Sequence, residues 1–374
     1  MSSSFDLAVV GAGIVGLSHA LAAAKRGRRV VMFDRDAQAN GASVRNFGFI
    51  TVTGQKAGEC WNRARRARDI WIELAPKAGI EIVHQGLAMV ARRPEGAAVL
   101  EAFSKTEMGE QCQLMTPMEA FARCPSLRTD TAKAVLWSPH ELRVESATAI
   151  PRLAAYLQET HAVEIHRGVT VHSVEDGTLE TSAGVFEAGA TVVCPGDNYN
   201  GLFADRIAQL GLTRVLLHMM RVDTAPQIRL GCTIMSDLGL IRYHGYTDLP
   251  EVAALRAVIE QEQPDAIAHG VHLIAVQSSD GSLVVGDSHL YSDDPPDSDP
   301  ADVDRLVTEE MQAVLNLPAW SVRERWTGTH AYATDRLALI DSPGESVRLV
   351  LVTSGTGAST GFAIGEEVIA DLFD

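Results

Sequence analysis

The chain has 374 residues, of which 32 are Lys or Arg and 48 are Asp or Glu, so its formal net charge is −16; 46% of the residues are hydrophobic. This composition is typical of a globular protein and excludes an intrinsically disordered chain, and the length predicts two or three domains. The negative charge provides no electrostatic surface for a phosphate backbone. We therefore expect no nucleic-acid partner.

The five cysteines contain no C-x-x-C pair. An odd number without such a pair indicates neither a disulfide framework nor a zinc site, so we expect a reducing compartment and no bound metal. The first basic residue is Lys25, and glycines interrupt the apolar start of the chain, which is unlike a secretory signal. No apolar run approaches the roughly 18 residues of a membrane span. These features predict a cytoplasmic location and no membrane partner.

The beginning of the chain follows the pattern strand, glycine-rich turn, helix, strand. Its segments are the apolar residues 5–10, the sequence GAGIVG at 11–16, an Ala-rich helical stretch and the apolar residues 30–33. Gly11 permits the tight turn, Gly13 lets a phosphate approach the backbone, and Gly16 lets the helix pack closely on the strand. Asp34 ends the second strand, where it can accept hydrogen bonds from ribose hydroxyls. The pattern predicts a dinucleotide-binding βαβ unit and does not distinguish NAD from FAD.

Two further segments could complete a cofactor site. Residues 41–49 form a polar loop with small side chains and one cation, Arg45. Near the end of the chain, the apolar residues 349–352 are followed by SGTGASTG at 354–361 and a helical pattern that runs to Asp374. A helix beginning there would direct backbone N–H groups and a positive dipole at the electron-rich edge of a reduced ring.

These segments together resemble the FAD-dependent D-amino acid oxidase, glycine oxidase and sarcosine oxidase group over nearly the whole chain. The matching stretches are GAGIVG at 11–16 with Asp34, SVRNFG at 43–48, VVCPG at 192–196, GSLVVGD at 281–287, WTG at 326–328 with Asp335, and SGTGASTG at 354–361. The resemblance implies an α/β fold of glutathione reductase-like FAD/glycine oxidase architecture. A Rossmann-type FAD-binding domain is expected beside a second, mainly antiparallel substrate domain.

Three stretches are more closely similar to the phosphonate-associated branch of this group. They are SVRNFG at 43–48, GDSH at 286–289 and TSGTG at 353–357. The resemblance to this branch implies oxidation of aminoalkylphosphonates.

The resemblance also implies which residues contact the cofactor. The expected set is Gly11, Gly13, Ile14, Val15, Gly16, Asp34, Arg35, Ser43, Arg45, Asn46, Phe47, Gly48, Val169, Val171, Cys194, Pro195, Gly196, Gly328, Gly355, Thr356, Gly357, Ser359, Thr360 and Gly361. None of the cysteines lies in the C-terminal segment where covalent members attach the ring, so we expect noncovalent FAD that acid precipitation releases.

The resemblance predicts a discontinuous FAD-binding domain (1–80, 140–210 and 325–374) and a substrate domain (81–139 and 211–324). Apolar or alternating runs predict substrate-domain strands at 84–92, 213–223, 233–244, 271–278 and 283–287, and helices are predicted at 55–77 and 299–317. Asp299 is expected to cap the second helix. The acidic stretch 293–304 is interpreted as a solvated loop without calcium-loop spacing, and the arginines at 63–68 as a water-facing helical stripe.

The candidate substrate residues lie near the WTG motif and the predicted strands. In glycine and D-amino acid oxidases, an arginine shortly after this motif grips the substrate carboxylate, whereas this chain has His330 there. Histidine cannot form the bidentate fork of arginine, which disfavours an ordinary α-amino acid and favours a tetrahedral phosphonate held by single donors. We assign His330, Tyr332 and Tyr243 to catalysis, and Arg242, Tyr246, His289 and His330 to substrate binding.

The predicted reaction is FAD-dependent oxidation of a small primary or N-methylated aminoalkylphosphonate, such as 2-aminoethylphosphonate or N-methyl-2-aminoethylphosphonate. Hydride passes to flavin N5, and imine hydrolysis gives an aldehyde plus amine or ammonia. Oxygen is the expected acceptor and would yield hydrogen peroxide, although no lysine follows Lys133 to match the late lysine of sarcosine oxidases. The alternatives are a glycine, sarcosine or D-amino acid oxidase or dehydrogenase using Arg242 or Arg221, and a flavin-binding electron-transfer subunit of a larger complex.

Overall fold

The computed structural model describes residues 5–292 and 300–374. The α-helices are α1 (Ile14–Lys25), α2 (Glu59–Leu74), α3 (Pro94–Ser104), α4 (Pro117–Arg123), α5 (Ser146–His161), α6 (Ala204–Ala208), α7 (His244–Thr247), α8 (Val252–Glu262), α9 (Pro264–Ala268), α10 (Pro300–Val314) and α11 (Gly357–Phe373). The strands are β1 (Phe5–Val10), β2 (Val30–Asp34), β3 (Phe49–Ile50), β4 (Ile82–Ala91), β5 (Gln113–Met115), β6 (Ala134–Val144), β7 (Glu164–Arg167), β8 (Val171–Glu175), β9 (Thr178–Thr181), β10 (Gly184–Val193), β11 (Thr213–Thr224), β12 (Thr233–Ser236), β13 (Ile274–Gln277), β14 (Leu283–Gly286), β15 (Leu290–Ser292), β16 (Trp320–Tyr332), β17 (Ala338–Asp341) and β18 (Val347–Val352).

The first sheet has a parallel centre. Its order is β17-β18-β10-β1-β2-β7, with β9 added beside β10 and β8 beside β9. Strands β18, β10, β1, β2 and β7 run parallel to their neighbours in this order. The central strands are apolar along their length because helices cover the sheet, and α1, α2, α5 and α11 share one buried cluster with it. The predicted βαβ unit is therefore confirmed as the centre of this sheet.

The second sheet has ten strands and is mainly antiparallel. Its order is β15-β11-β14-β13-β12-β4-β6-β3, with β16 paired to β11 and β5 to β6. Only the β4–β12 pair is parallel among the described strand pairs of this sheet. Three strands of this sheet lie wholly or partly in segments that we assigned to the FAD-binding domain: β3, β6 and β16. The predicted fold class is confirmed, and the domain boundaries stay a prediction.

The predicted strand at 233–244 is wrong beyond Ser236. A 3-10 helix, Asp237–Ile241, and then α7 replace its second half. The buried Asp237 carboxylate lies at this change of direction, where it accepts hydrogen bonds from the backbone N–H groups of Arg92 (2.9 Å) and Arg93 (3.1 Å). Arg242 and Tyr243, which fall within the predicted strand, consequently lie on a turn, and Tyr246, predicted beside it, lies on the short helix α7.

The arginine stripe at 63–68 is also different from the prediction. Arg63 is largely buried and bonds to Glu367 of α11 and, at 2.7 Å, to Glu59. Arg66 forms a two-point contact with Glu366, with both N–O distances at 2.7 Å. Arg63 and Arg66 therefore join α2 to α11, whereas Arg68 pairs with the adjacent Asp69 (2.9 Å).

The predicted helices at 55–77 and 299–317 are present with shorter bounds, as α2 and α10. The predicted cap Asp299 and most of the acidic stretch lie outside the described residues. Asp304, near the end of that stretch, is within α10 and receives a hydrogen bond from His218 (2.6 Å). No helix among the described residues is both long and apolar enough to cross a membrane.

The buried His84 predicts a pH-dependent stability. Its Nε2 accepts the backbone N–H of Gln277 (3.2 Å), and burial together with the charge of Arg143 lowers its pKa from 6.5 to about 3. The unfolded chain binds this proton below about pH 6.5 and the folded chain does not, so stability falls as the pH drops through this range. Urea unfolding should show that wild type loses about 2 kcal/mol more than His84→Gln between about pH 6.5 and about pH 4.5. Parallel losses in the two proteins would contradict this assignment.

Candidate active site

Both sheets contribute to one cavity of about 780 Å³. Its first wall comes from the turn after β1, the loop that follows β2, and the segment between β18 and α11. Its second wall comes from β11, β13, β16 and the turn after the 3-10 helix Asp237–Ile241. The cavity thus lies where the predicted cofactor segments meet the predicted substrate residues.

The turn between β1 and α1 is built for close approach. Gly11 has φ +101°, and a Cβ on Gly16 would lie 1.9 Å from the Gly11 carbonyl oxygen. The N-terminus of α1 has no side-chain cap from its own first residues; instead, Ser43 Oγ accepts the backbone N–H of Ile14 (2.9 Å). A helix N-terminus reached by a bare glycine backbone, with Gly13 on the cavity wall, is suited to hold the phosphates of a dinucleotide.

Asp34 connects the end of β2 to the same turn. Its Oδ2 accepts the backbone N–H of Ala12 (2.7 Å) and its Oδ1 accepts that of Asp36 (2.9 Å). The carboxylate therefore holds the glycine turn in place. The sequence predicts that it also binds the ribose. It does not line the cavity itself.

The second glycine-rich segment places another helix N-terminus on the cavity. Gly355 (φ +71°) turns the chain between β18 and α11, and Thr356 occupies the position before the helix. Ser359 Oγ accepts the backbone N–H of Thr51 (3.0 Å), so this side chain also positions the loop after β3. The arrangement confirms the predicted sequence of strand, glycine turn and helix.

Most predicted cofactor residues line the cavity. They are Gly13, Ile14, Val15, Gly16, Ser43, Arg45, Asn46, Phe47, Cys194, Gly196, Gly328, Gly355, Thr356, Gly357, Ser359 and Thr360. The others are not part of its lining: Gly11, Asp34, Arg35, Gly48, Val169, Val171, Pro195 and Gly361. Asn46 also has a local role, since its Oδ1 accepts from the Gly48 backbone N–H (2.6 Å) and from Ser146 Oγ (2.8 Å).

Five of the predicted substrate residues meet on the cavity wall: Arg242, Tyr243, His289, His330 and Tyr332. Tyr246 does not, because α7 directs it into the core, where its ring packs 4.6 Å from that of Phe103. Of the two arginines considered for carboxylate binding, Arg221 is away from the cavity and donates to Ser278 and Ser282, both at 3.0 Å. Arg242 remains the arginine candidate on this wall.

Arg242 is held in place by an aromatic residue that sequence analysis missed. Its Nη2 donates to the Tyr291 hydroxyl (2.8 Å), and the Tyr291 ring packs 4.6 Å from that of Tyr332. Burial raises the pKa of Tyr332 and that of Tyr243 above the usual value. Both hydroxyls therefore keep their protons at neutral pH, and the group combines one fixed cation with neutral hydrogen-bond donors.

His330 is a neutral acceptor in this geometry. Its Nδ1 lies 2.8 Å from the Ala331 carbonyl oxygen, and because a carbonyl only accepts, Nδ1 carries the ring proton. Burial lowers the pKa of His330, and the charge of Arg242 lowers it further. Nε2 therefore has a free lone pair, and it points to Gly355, where a Cβ would lie only 2.9 Å away. This corrects the expectation that His330 is a donor to an anion.

The predicted residue His289 forms a group with two residues that the sequence analysis missed, His272 and Asp287, and all three line the cavity. Burial raises the pKa of Asp287 to about 7, and burial lowers the pKa of both histidines well below the usual value. The D-x-H spacing at 287–289 was a usable signal, because alternate residues of an extended segment share a face. His272 lies 15 positions before Asp287, and no local pattern connects the two.

The comparisons with known proteins identify the family. The family model described as DAO, FAD dependent oxidoreductase, matches residues 6–372. A glycine oxidase from Geobacillus kaustophilus (strain HTA426) is 26% identical over 228 residues, which cover 57% of this chain and 59% of that relative. The alignment thus spans less than two thirds of the relative's length.

Solved structures share the fold at low sequence identity. An L-proline dehydrogenase from P. horikoshii has a TM-score of 0.78 at 17% identity, covering 100% of this chain and 94% of that chain. A glycine oxidase from Bacillus cereus ATCC 14579 has a TM-score of 0.77 at 15% identity, covering 99% and 95%. The glycine turn at 11–16, the N-terminus of α1 and the bare backbone at Gly13 fit the phosphates of FAD, which is the cofactor. The chain belongs to the DAO family of FAD-dependent oxidoreductases.

Proposed function

We propose that this protein oxidises small primary or N-methylated aminoalkylphosphonates with FAD, in the cytoplasm and with oxygen as the electron acceptor. The amine, water and oxygen are converted to an aldehyde, ammonia or methylamine, and hydrogen peroxide. The observation that carries the proposal is the anion-binding group of Arg242 with Tyr291, Tyr332 and Tyr243, which offers one cation and separate neutral donors. Such a group suits a tetrahedral anion, which can accept hydrogen bonds from several directions.

His330 supports the same substrate orientation. Its Nε2 lone pair can accept an N–H hydrogen of the substrate amine, while its Nδ1 proton is occupied by the Ala331 carbonyl. A neutral amine with its nitrogen at His330 and its anionic end at Arg242 would lie along the wall formed by β16 and the Arg242 turn. This placement positions the carbon next to nitrogen for oxidation without requiring a side-chain base.

FAD, when bound, would supply the acceptor for the hydride, and with it the two electrons, that the substrate carbon loses. The chain supplies position and a dry environment. Arg242 orients the anionic end, Tyr332 and Tyr243 donate to it, and the buried walls formed by Val215 and Leu217 exclude water.

An anaerobic absorption spectrum of the purified holoenzyme tests the proposal. N-methyl-2-aminoethylphosphonate should bleach the flavin band, whereas equal concentrations of sarcosine and glycine should leave it largely unchanged. Bleaching by the carboxylates alone would contradict the phosphonate proposal. Peroxide production in air would then support an oxidase, and its absence would point to another electron acceptor.

The glycine oxidase match supports a second candidate, an oxidase of glycine, sarcosine or another amino acid. In that case Arg242 would hold the carboxylate in a two-point contact. The same anaerobic experiment separates the two, because sarcosine and N-methyl-2-aminoethylphosphonate carry the same N-methyl amine and differ in the anion and in one methylene group. The electron-transfer subunit alternative predicts flavin reduction with no peroxide release from the isolated chain.

A further inference from the structure

The cavity wall contains three unpaired ligand atoms that converge on one point. His272 Nδ1, Asp287 Oδ1 and His289 Nδ1 all lie within 4.8 Å of one another. Asp287 Oδ1 is 3.2 Å from His272 Nδ1 and 3.7 Å from His289 Nδ1. Each of these atoms is buried and has no hydrogen-bond partner. Three unpaired polar atoms in such a place are costly, unless a ligand binds to all of them.

We propose that His272 Nδ1, Asp287 Oδ1 and His289 Nδ1 bind one divalent transition-metal ion of the zinc class on the wall of the active-site cavity. Imidazole nitrogen and carboxylate oxygen are standard ligands of Zn²⁺ at about 2.0–2.2 Å. Ligand atoms around such an ion are separated by about 3.0–3.5 Å. The two distances from Asp287 Oδ1 are near this range, and rotation of the imidazole rings would bring the two histidine nitrogens, which lie within 4.8 Å of each other, into it. Three protein ligands leave coordination positions open, as in catalytic zinc sites.

The backbone fixes the ligands in the required positions. His272 and Asp287 exchange both backbone hydrogen bonds, His272 N–H to Asp287 O (3.1 Å) and Asp287 N–H to His272 O (2.9 Å). The site is therefore preformed by two neighbouring segments of the second sheet.

The electrostatics of the cluster favour a cation. All three side chains are at least nine-tenths buried, and among the described residues no lysine or arginine forms an ion pair with the Asp287 carboxylate. Arg242 lines the same cavity but donates its Nη2 hydrogen bond to the Tyr291 hydroxyl (2.8 Å). A buried carboxylate is stabilised when a cation lies at its oxygen.

The open coordination positions suggest a use for the ion, and this part rests on the proposed function. A divalent ion, Asp287 and Arg242 together carry a charge of about +2, which complements a phosphonate dianion. One phosphonate oxygen could complete the coordination while Arg242 binds another. Because coupling is reciprocal, phosphonate should then also tighten metal binding.

The metal site is tested without substrate. FAD-loaded protein is treated with a chelator, desalted, dialysed against ZnCl₂ and analysed for zinc and FAD content. We expect about one zinc per chain in wild type and in His269→Gln, and less than about a fifth in Asp287→Asn and His289→Ala. His269 is the control because it is an exposed histidine near His272 that does not line the cavity. Equal zinc contents in all four proteins, or no retained zinc in wild type, would overturn the proposal.

A second measurement uses only the wild-type protein, so it tests the metal site even if a variant does not fold or does not bind FAD. Anomalous diffraction from wild-type crystals soaked in ZnCl₂ should place a peak within about 2.3 Å of all three atoms. A map without a peak there would overturn the site. For the anion role, calorimetry with methylphosphonate should show at least about tenfold tighter binding to zinc-loaded than to chelator-treated protein. Equal affinity would overturn this role, while the zinc content reports on the metal site even if no aminophosphonate is oxidised.

Discussion

A Gly16→Ala variant is expected to retain less than about a tenth of the wild-type FAD. The added Cβ would lie 1.9 Å from the Gly11 carbonyl oxygen and 3.3 Å from Val9 Cγ1. The first of these atoms belongs to the backbone of the phosphate-binding turn, which cannot rotate away as a side chain can. The start of α1 must therefore move off β1, and its N–H groups lose their positions toward the phosphates. The ratio of flavin to protein absorbance measures the loss.

Two companion variants separate a cofactor defect from unfolding. Gly41→Ala is the control, because a Cβ there meets no atom within 4 Å. It should keep full FAD content. Gly13→Val adds its Cβ 2.8 Å from the movable Ser43 Oγ, so the fold should persist while methyl groups occupy the phosphate approach. A Gly16→Ala or Gly13→Val protein with normal circular dichroism and normal FAD content would contradict the assignment of this turn.

An Arg242→Gln variant is expected to raise the KM for the anionic amine about 100-fold, with kcat changed by less than about threefold. The reason is that a charge-assisted contact to the anion is present both before and during the reaction, so its loss weakens binding at each stage. Tyr291→Phe should raise KM only about fivefold, because it removes the hydrogen bond that orients Arg242 and leaves the charge. Steady-state oxygen consumption or dye reduction gives both constants.

The Arg242→Lys variant distinguishes the two anions. A tetrahedral phosphonate can accept a lysine as a point charge, so KM should rise less than about tenfold. A carboxylate held by a planar fork should lose much more. Arg305→Gln is the control for the change in net charge, since Arg305 is on α10, away from the cavity. An unchanged KM in Arg242→Gln, or the same increase in Arg305→Gln, would count against Arg242 as the anion-binding residue.

The cofactor half of the site could be predicted because its signals are local. The turn GAGIVG, the strand before it and the acid at the end of β2 lie within 30 residues of sequence, and the structure places them as predicted. The local pattern did not show that Asp34 accepts the Ala12 N–H, or that Ser43 reaches the first turn of α1. These contacts depend on how the loop after β2 folds back.

The substrate half was predicted only in part, because its residues come from separate segments. The run 233–244 has strand composition, but it changes direction at the buried Asp237, which bonds to the backbone of Arg92 and Arg93, more than 140 positions earlier. This turn places Arg242 on the cavity wall and sends Tyr246 into the core. Tyr291 was missed as a site residue because it lies outside the quoted motifs. Asp287 was missed because the motifs that contain it, GSLVVGD at 281–287 and GDSH at 286–289, assigned no role to it.

The sequence by itself determined the βαβ unit and the second glycine turn, because glycine spacing and hydrophobic period express these features within short segments, where sterics and hydrogen bonding act locally. The family resemblance of the combined motifs implied the α/β class with a mainly antiparallel second sheet and the requirement for FAD. Only the tertiary structure decided which polar atoms meet: Arg242 with Tyr291, the neutral His330 with Gly355, and His272 with Asp287 and His289. Their proximity follows from strand pairing and chain direction across the second sheet, which bring together residues that the linear sequence keeps apart.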